Sequence, residues 1–169
     1  MNGLKNLIVR KNNNSFVEIK IRTMEIKIIN KSPFEAPAYA TLDSAGFDLR
    51  ANTDMYYTLK PLERALFKTG IFIEIPKGYV GYVCTRSGLA IKKGLVVLNA
   101  PGVVDSDYRQ EIGVILINLS NEDVSVLPGD RIAQMIISTY EKVKFNLVKD
   151  IKELSSTDRS GGFGSTGVA

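Results

Sequence analysis

Four stretches of this sequence place a glycine, a charge and a polar neighbour at the end of an apolar run: AGFDLRA (45–51), TRSGLAIKKG (85–94), LNAPGVVDSDYRQE (98–111) and PGDRIAQMI (128–136). The third is the richest in chemistry. Val103 and Val104 lead into Asp105, a carboxylate able to polarise a water, and Asp107 shares its direction if the chain stays extended. Tyr108 follows with an aromatic surface that covers a flat ring or a sugar. A tight hairpin over 99–103 would set the Asn99 amide and the bare backbone of Gly102 against a ligand edge, and an amide that both donates and accepts suits a nucleobase. Arg86, Ser87 and Gly88 read as a small anion site, with a cation, a hydroxyl and backbone N–H groups at a short helix start. Taken alone, Gly46 with Asp48 is a bend and a capped strand end, and Gly129, Asp130 and Arg131 are a turn and a surface cation.

The composition narrows what these groups could do. Histidine is absent and Cys84 is the single cysteine, which excludes Ser-His-Asp and Cys-His catalysis, His-bound zinc or haem, internal disulfides and cysteine clusters. A metal here would be a hard, oxygen-held ion such as Mg²⁺, and a general base would be a carboxylate, Lys, Tyr or the lone thiol. The net charge of +4 sits entirely in residues 1–23, where Lys5, Arg10, Lys11, Lys20 and Arg22 face only Glu18. The remainder is neutral, so a nucleic-acid partner is not expected, although a phosphate group needs only a few local cations.

At 169 residues the chain has the length of one domain, and 44% hydrophobic with 24% charged residues is ordinary for a globular protein. Apolar alternation predicts strands over 24–29, 47–51, 55–59, 64–69, 71–75, 79–85, 95–98, 111–118, 124–126, 132–140 and 145–148, with turn residues between them. Many short strands point to a barrel or sandwich, and 87–92 is the one helix-like stretch. Residues 1–23, with five asparagines among the first fourteen, read as a dispensable solvated extension, and Met24 reads as a second candidate start. No apolar run spans a membrane and no secretory core is present, so a cytoplasmic location is expected. From residue 155 the sequence SSTDRSGGFGSTGVA cannot build a core. Arg159 and Phe163 nevertheless give this Gly-rich tail one cation and one aromatic face.

In this order the four segments and the tail resemble the five motifs of the trimeric, all-β dUTPases, and the resemblance runs from Met24 to the C-terminus. It implies a jelly-roll-like β-barrel of the β-clip type over 24–154, with one short helix and a flexible C-terminal lid over 155–169. It implies an Mg²⁺-dependent hydrolysis of dUTP to dUMP and pyrophosphate that keeps uracil out of DNA and supplies dUMP for thymidylate synthesis. Asp105 would activate the water that attacks the α-phosphorus, with Asp107 in support. Tyr108 would pack on deoxyribose and exclude a 2′-hydroxyl. Asn99, Gly102 and Val103 would pair with uracil, and Phe163 would stack on it. Arg86, Ser87, Gly88, Gln134 and Arg159 would hold the phosphates. Asp48 would stand near the water shell of a magnesium held by substrate oxygens and not by the protein, and Arg131 would have a supporting role. The sites would be shared within a homotrimer.

Two positions depart from the family pattern: the spacing from Arg159 to Phe163 is one residue short, and Gln110 stands where a glycine is usual. Three rival readings use the same residues: a dCTP deaminase of the same fold, a dUTPase-fold regulatory binding protein, and a nucleic-acid-binding β-barrel suggested by the basic N-terminus.

Overall fold

The structure is a computed structural model describing residues 2–12 and 15–158. Strands β1 (Asn2–Asn12) and β2 (Ser15–Met24) pair antiparallel with each other, from Asn2 opposite Met24 to Asn12 opposite Ser15. The expected solvated extension is thus a hairpin. The expected strand 24–29 is divided: Met24 closes the hairpin, and β3 (Lys27–Asn30) begins after a break. The body continues with β4 (Gly46–Arg50), β5 (Tyr57–Leu59), β6 (Arg64–Lys68), β7 (Ile71–Glu74) and β8 (Tyr79–Cys84). Helix α1 (Ser87–Lys93) follows, then β9 (Leu95–Val97), β10 (Gly102–Val104), β11 (Gly113–Asn118), β12 (Val124–Val126) and β13 (Arg131–Thr139). Residues 145–148 form no strand, contrary to expectation, and β10 is a strand that the alternation did not reveal.

The architecture is all-β with one short helix. A four-stranded sheet runs β10-β8-β13-β4, a three-stranded sheet runs β6-β11-β9, and β12-β5 and β3-β7 complete the body. Its core is built from inward strand positions, Leu49, Leu59, Phe67, Leu95, Leu116, Ile132 and Met135, with Ile75 just after β7 and Ile112 just before β11, all nearly or fully buried. Alternation does the sorting. In β4, Phe47 and Leu49 turn inward, which leaves Asp48 on the opposite face. No helix among the described residues is long and apolar enough to cross a membrane.

Two tight turns fix the frame beneath the site. Between β5 and β6, Leu62 adopts φ 64°, a left-handed conformation that a leucine rarely takes. It is held there by its N–H donating to Asn118 O at 2.7 Å, while Asn118 N–H donates to Glu63 O. The Lys60 N–H, and then the Tyr57 hydroxyl, keep the Glu63 carboxyl below its ordinary range, and the same carboxylate raises the Tyr57 phenol. Between β6 and β7, Gly70 has φ 70°, and a Cβ there would lie 2.6 Å from the backbone nitrogen of Ser32. Only glycine fits that turn.

Candidate active site

The phosphate-binding residues expected from two segments meet Asp48, from a third, on one face of the four-stranded sheet. Gln134 on β13 lies opposite Cys84 on β8 and opposite Asp48 on β4, so these three side chains form a row across neighbouring strands. Gly46, two residues before Asp48, leaves that face bare: a Cβ there would sit 3.2 Å from Gln134 Oε1. Arg131 lies three residues before Gln134, and in a regular strand it would point to the other face. The register slips between Arg131 and Ala133, with Ile132 as the extra residue. Ile132 and Ala133 are therefore both buried, and Arg131 is turned back to the face of Asp48 and Gln134.

Asp48 organises the cations. Its Oδ1 accepts from Arg86 Nε at 2.7 Å and its Oδ2 from Arg131 Nη1 at 3.2 Å. Arg86 Nη1 also donates to Arg131 O at 3.2 Å, and Gln134 Nε2 donates to Thr85 O at 3.2 Å. The contacts to Asp48 and to Arg131 O use two of the five N–H donors of Arg86. With one carboxylate against two guanidinium groups, the face keeps an excess positive charge. Asp48, Arg86, Ser87, Gly88, Arg131 and Gln134 line one concavity of ≈ 260 Å³, together with Ser44 and Gly46. Nothing lies within 4 Å of a Cβ built on Gly88, in the first turn of α1. Packing within the chain does not demand that glycine, although glycine in a helix costs about 1 kcal/mol relative to alanine.

The third segment lies apart. Asn99 and the cis Ala100–Pro101 bond stand between β9 and β10, but those strands belong to different sheets, so 99–103 crosses between sheets and is not the expected hairpin. Asn99 still faces bare backbone: a Cβ on Gly102 would meet Asn99 Nδ2 at 3.2 Å. Val103 is exposed on the edge strand β10, and Asp105 is exposed just beyond it. Asp107 does not continue an extended chain beside Asp105. Residues 106–107 form a turn closed by Tyr108 N–H on Asp105 O at 3.1 Å, so the shared direction expected of the two carboxylates is lost. The Tyr108 hydroxyl donates to Glu111 O at 3.0 Å.

The sheet register measures how far apart the two groups are. Val103, Tyr82, Ile136 and Gly46 lie in one row across β10, β8, β13 and β4. Asp48 is two residues above that row at one edge of the sheet, and Asp105 is two residues below it at the other. Three strand spacings across and four residues along give a separation on the order of 20 Å. Arg159 and Phe163 lie outside the described residues. Among the described residues, no three His, Cys, Asp or Glu side chains converge as a metal cage. Both Asp48 oxygens already serve guanidinium groups. That donor set fits a magnesium brought in on substrate phosphates and water, and does not fit one caged by the protein.

Known proteins place the chain. The dUTPase family model matches residues 32–167. The chain belongs to the dUTPase family. It is 51% identical over 145 residues to the deoxyuridine 5′-triphosphate nucleotidohydrolase of Finegoldia magna, a match covering 85% of this chain and 99% of that one. The enzyme of the same name from Aquifex aeolicus is 55% identical over 108 residues, covering 64% of this chain and 72% of its own. Among solved structures, a variant of the Staphylococcus bacteriophage 80alpha dUTPase with dUpNHpp superimposes with a TM-score of 0.74 at 26% identity, over 86% of this chain and all of the other. Sequence reasoning named the dUTPase motifs, but missed the bulge at Ile132 and the contacts of Glu111 described below. The first depends on a partner strand, and the second joins residues far apart in sequence.

Proposed function

We propose that this chain hydrolyses dUTP to dUMP and pyrophosphate as a homotrimer in which each site draws on more than one subunit. Membership of the dUTPase family supports the activity. The shared site rests on one observation: Asp105 and the Arg86–Asp48–Arg131 group lie at opposite ends of the strands of one sheet, on the order of 20 Å apart along its register. One triphosphate reaches both where the Asp105 end of one copy meets the Arg86 end of the next. A second feature favours assembly. Val143, Phe145 and Leu147 are 65%, 85% and 95% exposed and alternate with Lys142, Lys144 and Asn146. Such a segment is patterned for a strand and lacks a partner strand within the described chain, and a neighbouring subunit's sheet edge would supply one.

In the reaction, Asp105 accepts a proton from water as the water oxygen bonds to the α-phosphorus. The bond from that phosphorus to the α–β bridging oxygen breaks, and pyrophosphate leaves with the electron pair. Arg86, Ser87, the backbone at Gly88, Gln134 and Arg131 orient the phosphates and neutralise their charge, which is most of what phosphoryl transfer requires. Mg²⁺ on the phosphates would supply further neutralisation, and Asp48, the one carboxylate lining that concavity, is the group there able to accept from its water shell. Asn99 with the Gly102–Val103 backbone reads uracil, and Tyr108 covers the sugar. Arg159 and Phe163 close the site from the C-terminal segment.

Incubation with Mg²⁺ and, separately, dUTP, dCTP, TTP and UTP, followed by phosphorus NMR, is expected to give pyrophosphate from dUTP alone. Ammonia from dCTP would make the chain a deaminase, and nucleotide binding without turnover would make it a regulatory protein. Residues 1–23 lie before the start of the family match at residue 32 and carry the excess charge. Their removal is expected to leave kcat, KM and the sedimentation of the trimer unchanged. A large fall in activity or melting temperature would show that the hairpin packs on the body.

A further inference from the structure

The loop that carries Asp105 and Tyr108 is tied to the body by a single side chain among the described residues. Within the loop, Arg109 Nη1 donates to Ser106 O at 2.7 Å and to Tyr108 O at 2.9 Å, which stiffens the loop without anchoring it. The anchor is Glu111, whose Oε1 accepts from Gly70 N–H at 2.7 Å. A carboxylate on a backbone N–H is a strong, charge-assisted contact. Gly70 is itself held on the body: its carbonyl accepts from Lys31 N–H at 2.8 Å, and Ser32 closes the space where a side chain would go. Immediately beyond, the buried Thr69 hydroxyl donates to Ile112 O at 2.7 Å, and Ile112 N–H donates to Ile71 O at 2.8 Å. The Tyr108 hydroxyl ends on the Glu111 carbonyl, so the far end of the ring is referenced to the same residue.

We infer that Glu111 is a positioning residue for sugar selectivity, which holds the Tyr108 ring against the deoxyribose through the Gly70 turn. The inference rests on the reading of Tyr108 as the sugar-facing ring. A ring that excludes a hydroxyl by contact must be placed within about half an ångström, and a ring on a loosened loop yields to the extra oxygen.

The test compares kcat/KM for dUTP with kcat/KM for UTP in the full-length chain. Tyr108→Ala should lower that ratio. Glu111→Ala should lower it by about tenfold, the scale on which a loosened apolar contact stops rejecting an added hydroxyl. Glu111→Gln keeps an acceptor oxygen in the same place and should hold the ratio within about twofold, because a neutral acceptor retains the geometry while losing strength. In a Tyr108→Ala background, Glu111→Ala should change the ratio no further. If Glu111→Ala does not fold, Glu111→Asp, shorter by one methylene, should lower the ratio in smaller measure. A folded Glu111→Ala or Glu111→Asp chain with the wild-type ratio would falsify the inference while leaving Tyr108 in its role. Independent losses in the double variant would overturn it equally. An unchanged ratio in Tyr108→Ala would overturn the sugar-facing reading itself, and the inference with it.

Discussion

Asp105→Asn is expected to lower kcat for dUTP by about 10²–10⁴-fold, the usual contribution of a positioned general base. The substitution keeps the shape of the side chain and removes only its ability to take a proton. Asp105 is exposed just past the end of β10 and takes no part in the ion pairs among the described residues, so its charge is not expected to be needed for folding. Its backbone carbonyl, which accepts from Tyr108 N–H, is untouched. Thermal unfolding and the binding of a non-hydrolysable dUTP analogue should therefore stay close to wild type while turnover collapses. A variant that retains more than half the wild-type kcat would remove Asp105 from the role of base.

Arg86→Ala is expected to be nearly as damaging, by about 10²–10³-fold, because an arginine that meets charge developing on phosphate is worth several kcal/mol in a desolvated site. Asp48 keeps its contact with Arg131 in that variant and is partly exposed, so the sheet remains folded. The informative experiment mixes the two inactive chains. Asp105 and Arg86 lie at opposite ends of the neighbouring strands β10 and β8, so in the proposed trimer some mixed sites take an intact Asp105 from one chain and an intact Arg86 from the other. After joint unfolding and refolding at equal amounts, independent choice of the two subunits at each interface makes about a quarter of the sites complete. Activity should return to about that fraction of the wild-type value. Mixed trimers proven by mass spectrometry but still inactive would mean that both groups serve a site within one subunit, and that the separation read from the sheet register does not describe the working enzyme.

The motif residues show where sequence reasoning reached and where it stopped. Asp48, Arg86 and Gln134 were legible as polar residues at the ends of apolar runs, and the structure gathers them around one concavity. Their grouping rests on cross-strand register, which pairs Gln134 with Cys84 and with Asp48 across gaps of 50 and 86 residues. Asp107 shares the direction of Asp105 only in an extended chain, and a turn at 106–107 ends the extension. Residues 145–148 alternate as a strand should, but alternation specifies only a face. A strand also needs an edge to bond, and the described chain offers those residues none.

By itself the sequence determined the all-β class, the absence of histidine chemistry and of internal disulfides, the family and which residues are candidates for the chemistry. Each of these depends on residue type, or on a period that neighbouring residues impose on one another. Tertiary structure alone decided how those groups face one another. The extra residue Ile132 turns Arg131 onto the face of Asp48, and only pairing with β4 reveals it. Glu111 finds the N–H of Gly70 forty-one residues away. Antiparallel pairing of β10 with β8 sets Asp105 and Arg86 at opposite ends of neighbouring strands, on the order of 20 Å apart. All three depend on which strand lies beside which, a choice made by burying the whole core at once, so no local run of residues encodes it.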